Sequence, residues 1–152
     1  MDINDVAVGY LAYRARTAKE MKDYLLKKGF EESDIEKTIE YLKERRYIDD
    51  VSYVNQYLRY GFSKRKALYR IKRELEQKGV SQFDIEDGIF MFEDENQKDI
   101  NDIQMANALK EAEKILSSKV EIDKKLLDKV GRRLNTLGYS TGMIYSILSE
   151  YR

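Results

Sequence analysis

Apolar residues recur along this chain at helical spacings of three and four, and the pattern is laid out three times around three glycines. The anchors are Gly29, Gly79 and Gly138. Eight residues before them stand Met21, Ile71 and Val130, and four before stand Leu25, Leu75 and Leu134. Six residues beyond come Ile35, Ile85 and Ile144; ten beyond come Ile39, Ile89 and Leu148; thirteen beyond come Leu42, Phe92 and Tyr151. The two upstream positions share one helix face and the three downstream positions share another, so each copy predicts a helical hairpin. Glycine between them suits the left-handed residue that ends a helix, where a β-carbon would clash. The apolar residue after it (Phe30, Val80, Tyr139) is placed to pack back on the helix just finished.

Start signals agree. Thr17-Ala18-Lys19-Glu20 and Ser33-Asp34-Ile35-Glu36 both read as capping boxes, and Ser81 and Ser140 or Thr141 as caps. A further helix precedes each hairpin, near 4–15, 50–61 and 99–118, the second of them capped by Asp49-Asp50. The hairpin helices then fall at 17–28 and 33–45, 64–78 and 82–92, and 122–137 and 141–151. The expected fold is all-α: three tandem three-helix repeats, nine helices, over 1–46, 47–95 and 96–152, in a solenoid-like or beaded arrangement. The expected joints are Arg46-Tyr47-Ile48 and the acidic stretch from Glu93 to Asp99.

Composition narrows the function. In 152 residues there is no proline, cysteine or histidine, so disulfides, thiol chemistry and the commonest general base and metal ligand are absent. Asp94-Glu95 with Asp99 and Asp102 is the one dense acidic patch; it lacks the pattern of a calcium loop and reads as a solvated connector. No phosphate-cradling glycine loop or nucleophile elbow occurs, so neither an enzyme nor a cofactor nor a metal site is expected. No apolar run reaches membrane-spanning length, and the acidic first residues do not resemble a secretory leader; a cytoplasmic protein is expected.

Net charge is zero but segregated. Residues 1–50 carry 10 basic and 12 acidic residues, 51–80 carry 8 and 2, 81–113 carry 2 and 10, and 114–152 carry 8 and 4. Val51–Arg73 contains no acid at all. In Ser63–Leu75 the apolar residues Leu68, Ile71 and Leu75 form a buried stripe. Lys66, Arg70 and Arg73 then line one exposed flank of the expected helix, and Arg65, Tyr69 and Lys72 another, with Lys64 at its start. Solvated helix faces ordinarily mix signs; this one suits phosphate backbone or an acidic protein groove. Thirteen residues before each glycine stand Arg16, Lys66 and Lys125, with Arg14, Lys64 and Lys124 one or two residues earlier. The helix dipole does not favour a cation there, so the recurrence points to three repeated binding clusters and a repetitive partner. Of twelve tyrosines, Tyr10, Tyr24, Tyr41 and Tyr145 read as core; Tyr60 and Tyr69, among the cations, are the candidates for stacking on bases.

Arg46-Tyr47-Ile48-Asp49-Asp50-Val51-Ser52-Tyr53-Val54 and Arg70-Ile71-Lys72-Arg73-Glu74-Leu75-Glu76-Gln77-Lys78-Gly79-Val80 resemble segments of the RecX family, regulators of the RecA recombinase. Arg14, Arg16, Leu25 and Lys28-Gly29-Phe30 are similar to the family's opening helices, and Leu137-Gly138-Tyr139-Ser140 to its closing ones. The likeness departs at Arg46, where the family usually has glycine. It departs again at Arg65, Ala67 and Leu68, where a glycine-rich turn is common, and these changes are expected to start the fifth helix earlier. The resemblance implies an elongated, curved molecule of three three-helix repeats. It implies binding along RecA filaments on single-stranded DNA, with RecA ATP hydrolysis and strand exchange suppressed. The partner is then the RecA nucleoprotein filament, with single-stranded DNA touched weakly or indirectly, no membrane and no cofactor, and the protein a monomer. Two other readings stand beside it. A helix-turn-helix DNA-binding regulator would have to present helix 33–45, whose Asp34, Glu36, Glu40 and Glu44 repel phosphate. An inert helical adaptor would leave the basic stretch silent.

Overall fold

The computed structural model describes residues 1–117 and 121–151. Among the described residues there are nine helices and no strand: α1 (Ile3–Leu11), α2 (Ala18–Lys27), α3 (Glu32–Glu44), α4 (Asp50–Ser63), α5 (Leu68–Gln77), α6 (Gln82–Asn96), α7 (Ile100–Leu116), α8 (Lys124–Thr136) and α9 (Thr141–Ser149). The order is the expected one. Among the described residues, no helix is long and apolar enough to cross a membrane. The predicted end of the seventh helix at 118 lies outside the described residues.

The repeated glycines do what their spacing predicts. Gly29, Gly79 and Gly138 have φ of 93, 85 and 94°, and the amides of Phe30, Val80 and Tyr139 donate to the carbonyls of Leu25, Leu75 and Leu134 at 3.2, 3.1 and 3.1 Å. That single bond pattern closes three helices and folds the following apolar residue back on each. Gly138 is doubly required, because a β-carbon there would sit 2.6 Å from Cβ of Arg70.

Two more helices end the same way without glycine. Arg46 (φ 59°) follows α3, with the Tyr47 amide donating to Leu42 at 2.9 Å; Arg65 (φ 60°) follows α4, with the Lys66 amide donating to Gly61 at 3.0 Å. The first is the place where the resemblance has glycine, and the second lies in the stretch where it has a glycine-rich turn. The structural role survives there while the residue has changed, at a cost of about 1 kcal/mol for a left-handed L-residue. Arg46→Gly is therefore expected to raise the unfolding free energy by about 0.5 kcal/mol once glycine's extra unfolded-state entropy is subtracted, seen as a higher urea midpoint. A lowered midpoint would show that the Arg46 side chain contributes more than its backbone costs.

Arg65 also corrects the fifth helix, which starts at Leu68 rather than 64. Helix α4 runs on to Ser63, and the left-handed residue that terminates it reverses the chain before α5 can begin. Lys64, Arg65 and Lys66 thus lie in the α4–α5 turn instead of on one continuous basic helix. Helix α1 stops at Leu11 instead of 15, and Arg16 Nε turns back to the Tyr10 carbonyl at 3.3 Å. Helix α9 ends at Ser149 instead of 151.

The acidic connector is mostly helix, since α6 continues through Asp94 and Glu95 to Asn96, whose side chain donates to the Phe92 carbonyl at 2.7 Å. Only Gln97–Asp99 joins it to α7. There the Glu93 carboxylate accepts from the Ile100 amide at 3.1 Å and Asp99 caps Asn101 at 2.7 Å. The Thr17–Glu20 capping box forms, and Ser81 and Ser140 cap as expected by accepting from Asp84 at 3.1 Å and Met143 at 3.2 Å. The Ser33 box does not form: the N-cap is Glu31, with no side-chain bond, and Ser33 falls inside the first turn.

The chain divides into two compact units, Met1–Gln56 with Glu74–Phe90, and Tyr57–Arg73 with the residues from Met91 onward. In the first, Ala7, Met21, Leu25, Ile35, Leu42 and Ile48 form the core, with Tyr10, Phe30 and Ile39 packed against it. Asp50 ties this core to its next helix by accepting from the Ala18 amide at 3.0 Å, and burial pushes its carboxyl above the usual range. Thr17 Oγ1 donates to the Lys78 carbonyl at 2.8 Å. In the second unit, Ala67, Ala108, Ala112, Leu116, Val130, Leu134, Leu137, Tyr139 and Ile147 form the core. Each fully buried large apolar side chain contributes about 1.5–3 kcal/mol, so the repeat positions carry the fold.

Candidate functional site

The acid-free segment from Tyr57 to Arg73 belongs to the second unit, and its outer surface is built from tyrosines and cations. Tyr60, on the last turns of α4, is 51% exposed; Lys64 Nζ lies 5.9 Å and Lys66 Nζ 5.7 Å from its ring centroid. Tyr69, one residue into α5, is 64% exposed, and the Arg73 guanidinium stands 5.9 Å from its ring one turn further on. Lys72 is partly exposed on the same helix. Among the described residues no carboxylate pairs with Lys64, Lys72 or Arg73. Each exposed ring offers a face on which a base can stack, with positive charge within reach of the adjoining phosphate.

Other members of the predicted set are held by the fold. Arg65 Nη1 donates to Glu111 at 3.3 Å, and Arg133 Nη2 donates to the other oxygen of the same carboxylate at 3.2 Å. The Glu111 side chain is only 6% exposed, whereas Arg65 and Arg133, which hold it from either side, are 35% and 48% exposed. Tyr139 completes the group, its hydroxyl donating to the Arg65 carbonyl at 2.8 Å; burial, then the Glu111 charge, push that phenol up to about 12. Arg70 Nη1 donates to the Thr136 carbonyl at 2.9 Å, on the last turn of α8, where carbonyls lack helical partners.

In the first unit Arg14 pairs with Glu20 at 3.1 Å and reaches the Tyr53 hydroxyl at 3.5 Å. The hydrogen bond to Glu20 holds the guanidinium's proton more tightly against a desolvation that works the other way. Arg16 lies 3.7 Å above the Tyr10 ring, which itself stacks on Tyr24 at 3.7 Å. The recurrence of Arg16 and Lys66 has a packing explanation that the repeat pattern did not reveal. Each stands six residues after a tyrosine, Tyr10 or Tyr60, and each places its cation near that ring, Arg16 at 3.7 Å and Lys66 at 5.7 Å from the centroid. The two copies are exposed to different degrees, and only Tyr60 presents a largely open ring.

The third copy differs again. Lys124 and Lys125 open α8, which Asp123 caps by accepting from the Leu126 amide at 2.8 Å, and both are exposed. Lys125 lines a depression of about 330 Å³ with Lys129 and Arg132, and with the acids Glu121 and Asp123. Lys129 and Arg132 were not singled out in the sequence, although the spacing of Lys125, Lys129 and Arg132 puts all three on one helix face. Arg59, also unanticipated, stands over the Phe92 ring at 5.8 Å and 4.0 Å from Glu95. Tyr10 and Tyr24 are packed as expected, but Tyr41 and Tyr145 are exposed. They sit 12 and 7 residues past their glycines, off the buried or partly buried 6, 10 and 13 positions.

Known proteins are similar to this chain in sequence and in fold. The family models described as "RecX, first three-helix domain" and "RecX, second three-helix domain" match residues 5–42 and 49–89. Proteins named Regulatory protein RecX are 32% identical over 149 residues in Clostridium botulinum, 30% over 146 in Bacillus pumilus and 33% over 137 in Listeria welshimeri. These alignments cover 96, 95 and 89% of this chain, which spans 66, 53 and 48% of the relatives' own lengths. The crystal structure of RecX from Lactobacillus salivarius superposes with a TM-score of 0.80 at 27% identity, covering 97% of this chain and 93% of that one. A second structure, of a regulatory protein RecX, gives 0.78 at 25% identity, covering 97% and 71%. With both three-helix domains, the extended sequence matches and the nine-helix fold in agreement, the chain belongs to the RecX family.

Proposed function

We propose that this protein binds RecA filaments assembled on single-stranded DNA and lowers their ATP hydrolysis and strand exchange, acting as a monomer in the cytoplasm and doing no chemistry of its own. The observation that carries this reading is the exposed arrangement of Tyr60 with Lys64 and Lys66, and of Tyr69 with Arg73. Rings and cations so arranged favour a single strand whose bases are open to stacking, as they are not in a paired duplex. The exposed acids of α3, Asp34, Glu36, Glu40 and Glu44, repel phosphate and disfavour a recognition helix at that place. Three repeats, over 1–46, 47–95 and 96–152, suit a target that is itself periodic. Lys64, Lys66, Tyr69, Lys72 and Arg73 form the binding surface in this reading, with Lys124 and Lys125 as a second patch.

The decisive experiment is RecA-catalysed ATP hydrolysis on single-stranded DNA with increasing amounts of this protein. A dose-dependent fall is expected, at concentrations where bare single-stranded DNA is hardly bound. Unchanged or stimulated hydrolysis would sink the inhibitory reading.

A further inference from the structure

Two phenylalanines of α6 are displayed to solvent as few large apolar side chains are: Phe83 is 81% and Phe90 74% exposed. Seven residues apart, they project from nearly the same side of the helix, about 10 Å apart along its axis. The fold does not call for them. Counted from the anchor glycines, the positions of Phe83 and Phe90 are held by Ser33 and Glu40 in the first repeat and by Gly142 and Ser149 in the third. All of these are exposed. The same hairpin is thus built twice with polar or small residues where the middle copy shows aromatic rings.

The charge around the rings says what can cover them. Asp87 lies between the two phenylalanines on the helix surface and Glu86 on their flank; both are exposed. Glu86 accepts from the Gln82 side chain at 3.4 Å, and among the described residues no cation pairs with either acid. Phosphate is repelled by such a face, so nucleic acid is not its ligand. A protein groove that takes two aromatic anchors and carries Lys or Arg on its rim meets both features.

We propose that the Phe83–Phe90 face of α6 docks into a basic-rimmed apolar groove on a protein partner. Resting on the function proposed above, we take that partner to be the recombinase subunit of the filament. The protein then has two binding surfaces: tyrosines and cations of residues 57–73 for the strand, phenylalanines and acids of α6 for the protein.

The test uses full-length protein carrying F83S and F90E, the residues that the first repeat places there. Binding of fluorescently labelled wild type and variant to RecA–single-stranded DNA filaments and to bare single-stranded DNA is followed by anisotropy. Loss of two buried phenyl groups should weaken filament binding about 100-fold or more. Affinity for bare DNA and the thermal melt should stay unchanged. If wild type binds filaments and the variant binds them within about threefold, the α6 assignment falls while the functional reading stands. If wild type does not bind filaments at all, both fall together. A wild-type dimer in sedimentation that the variant abolishes would give the face to a second copy of this chain and overturn the proposal.

Discussion

Replacing Lys64, Lys66, Lys72 and Arg73 together by glutamine is expected to weaken filament binding at least about tenfold near 0.1 M salt and to flatten its salt dependence. Each phosphate neutralised on a single strand contributes about 0.7 to the slope of log affinity against log salt, so four lost cations should reduce it by about 3. Glutamine keeps helix propensity and the aliphatic stem while removing charge. Unfolding free energy should therefore move by no more than about 0.5 kcal/mol. Measured slopes that coincide for variant and wild type would remove these side chains from the interface. Tyr60→Ala and Tyr69→Ala separate stacking from charge, because they should cost affinity without altering the slope.

Arg65 is deliberately left out of that variant, because its removal tests the fold instead. Arg65→Ala with Arg133→Ala strips both guanidinium groups from the nearly buried Glu111 carboxylate, and an unfolding free energy lower by about 3 kcal/mol is expected in urea at neutral pH. Each single change should cost much less, since the remaining arginine still compensates the charge, and the difference measures the coupling. Adding Glu111→Leu to the double variant should recover most of the loss, because an apolar side chain needs no partner there. A double variant as stable as wild type would mean that Glu111 is well solvated, and Arg65 would return to the candidate interface.

The contrast between these variants traces what was legible in the linear pattern. Hairpins could be read because helix faces and left-handed ends are local properties. Met21 with Leu25 and Ile71 with Leu75 each share a face through a spacing of four, and all four are fully buried. Gly29, Gly79 and Gly138 stand where backbone geometry favours a missing β-carbon, so their positions also fixed where the first hairpin helices stop. The fifth helix was misplaced because Arg65 hides the same backbone geometry behind a residue that ordinarily avoids it. Tyr41 and Tyr145 were misread because a position one residue off the stripe points outward.

The site was legible as composition but not as geometry. An acid-free run marked the region, and Tyr60 and Tyr69 were rightly separated from the packed tyrosines. Which cations face outward was settled by partners far away in sequence: Glu111 for Arg65, 46 residues on, and the Thr136 carbonyl for Arg70, 66 residues on. Sequence by itself determined the helical repeat, its caps and the segregation of charge, since these depend on neighbours within one or two turns. Only tertiary structure decided which of the charges pair within the fold, because burial and pairing depend on side chains that packing, and not periodicity, brings together.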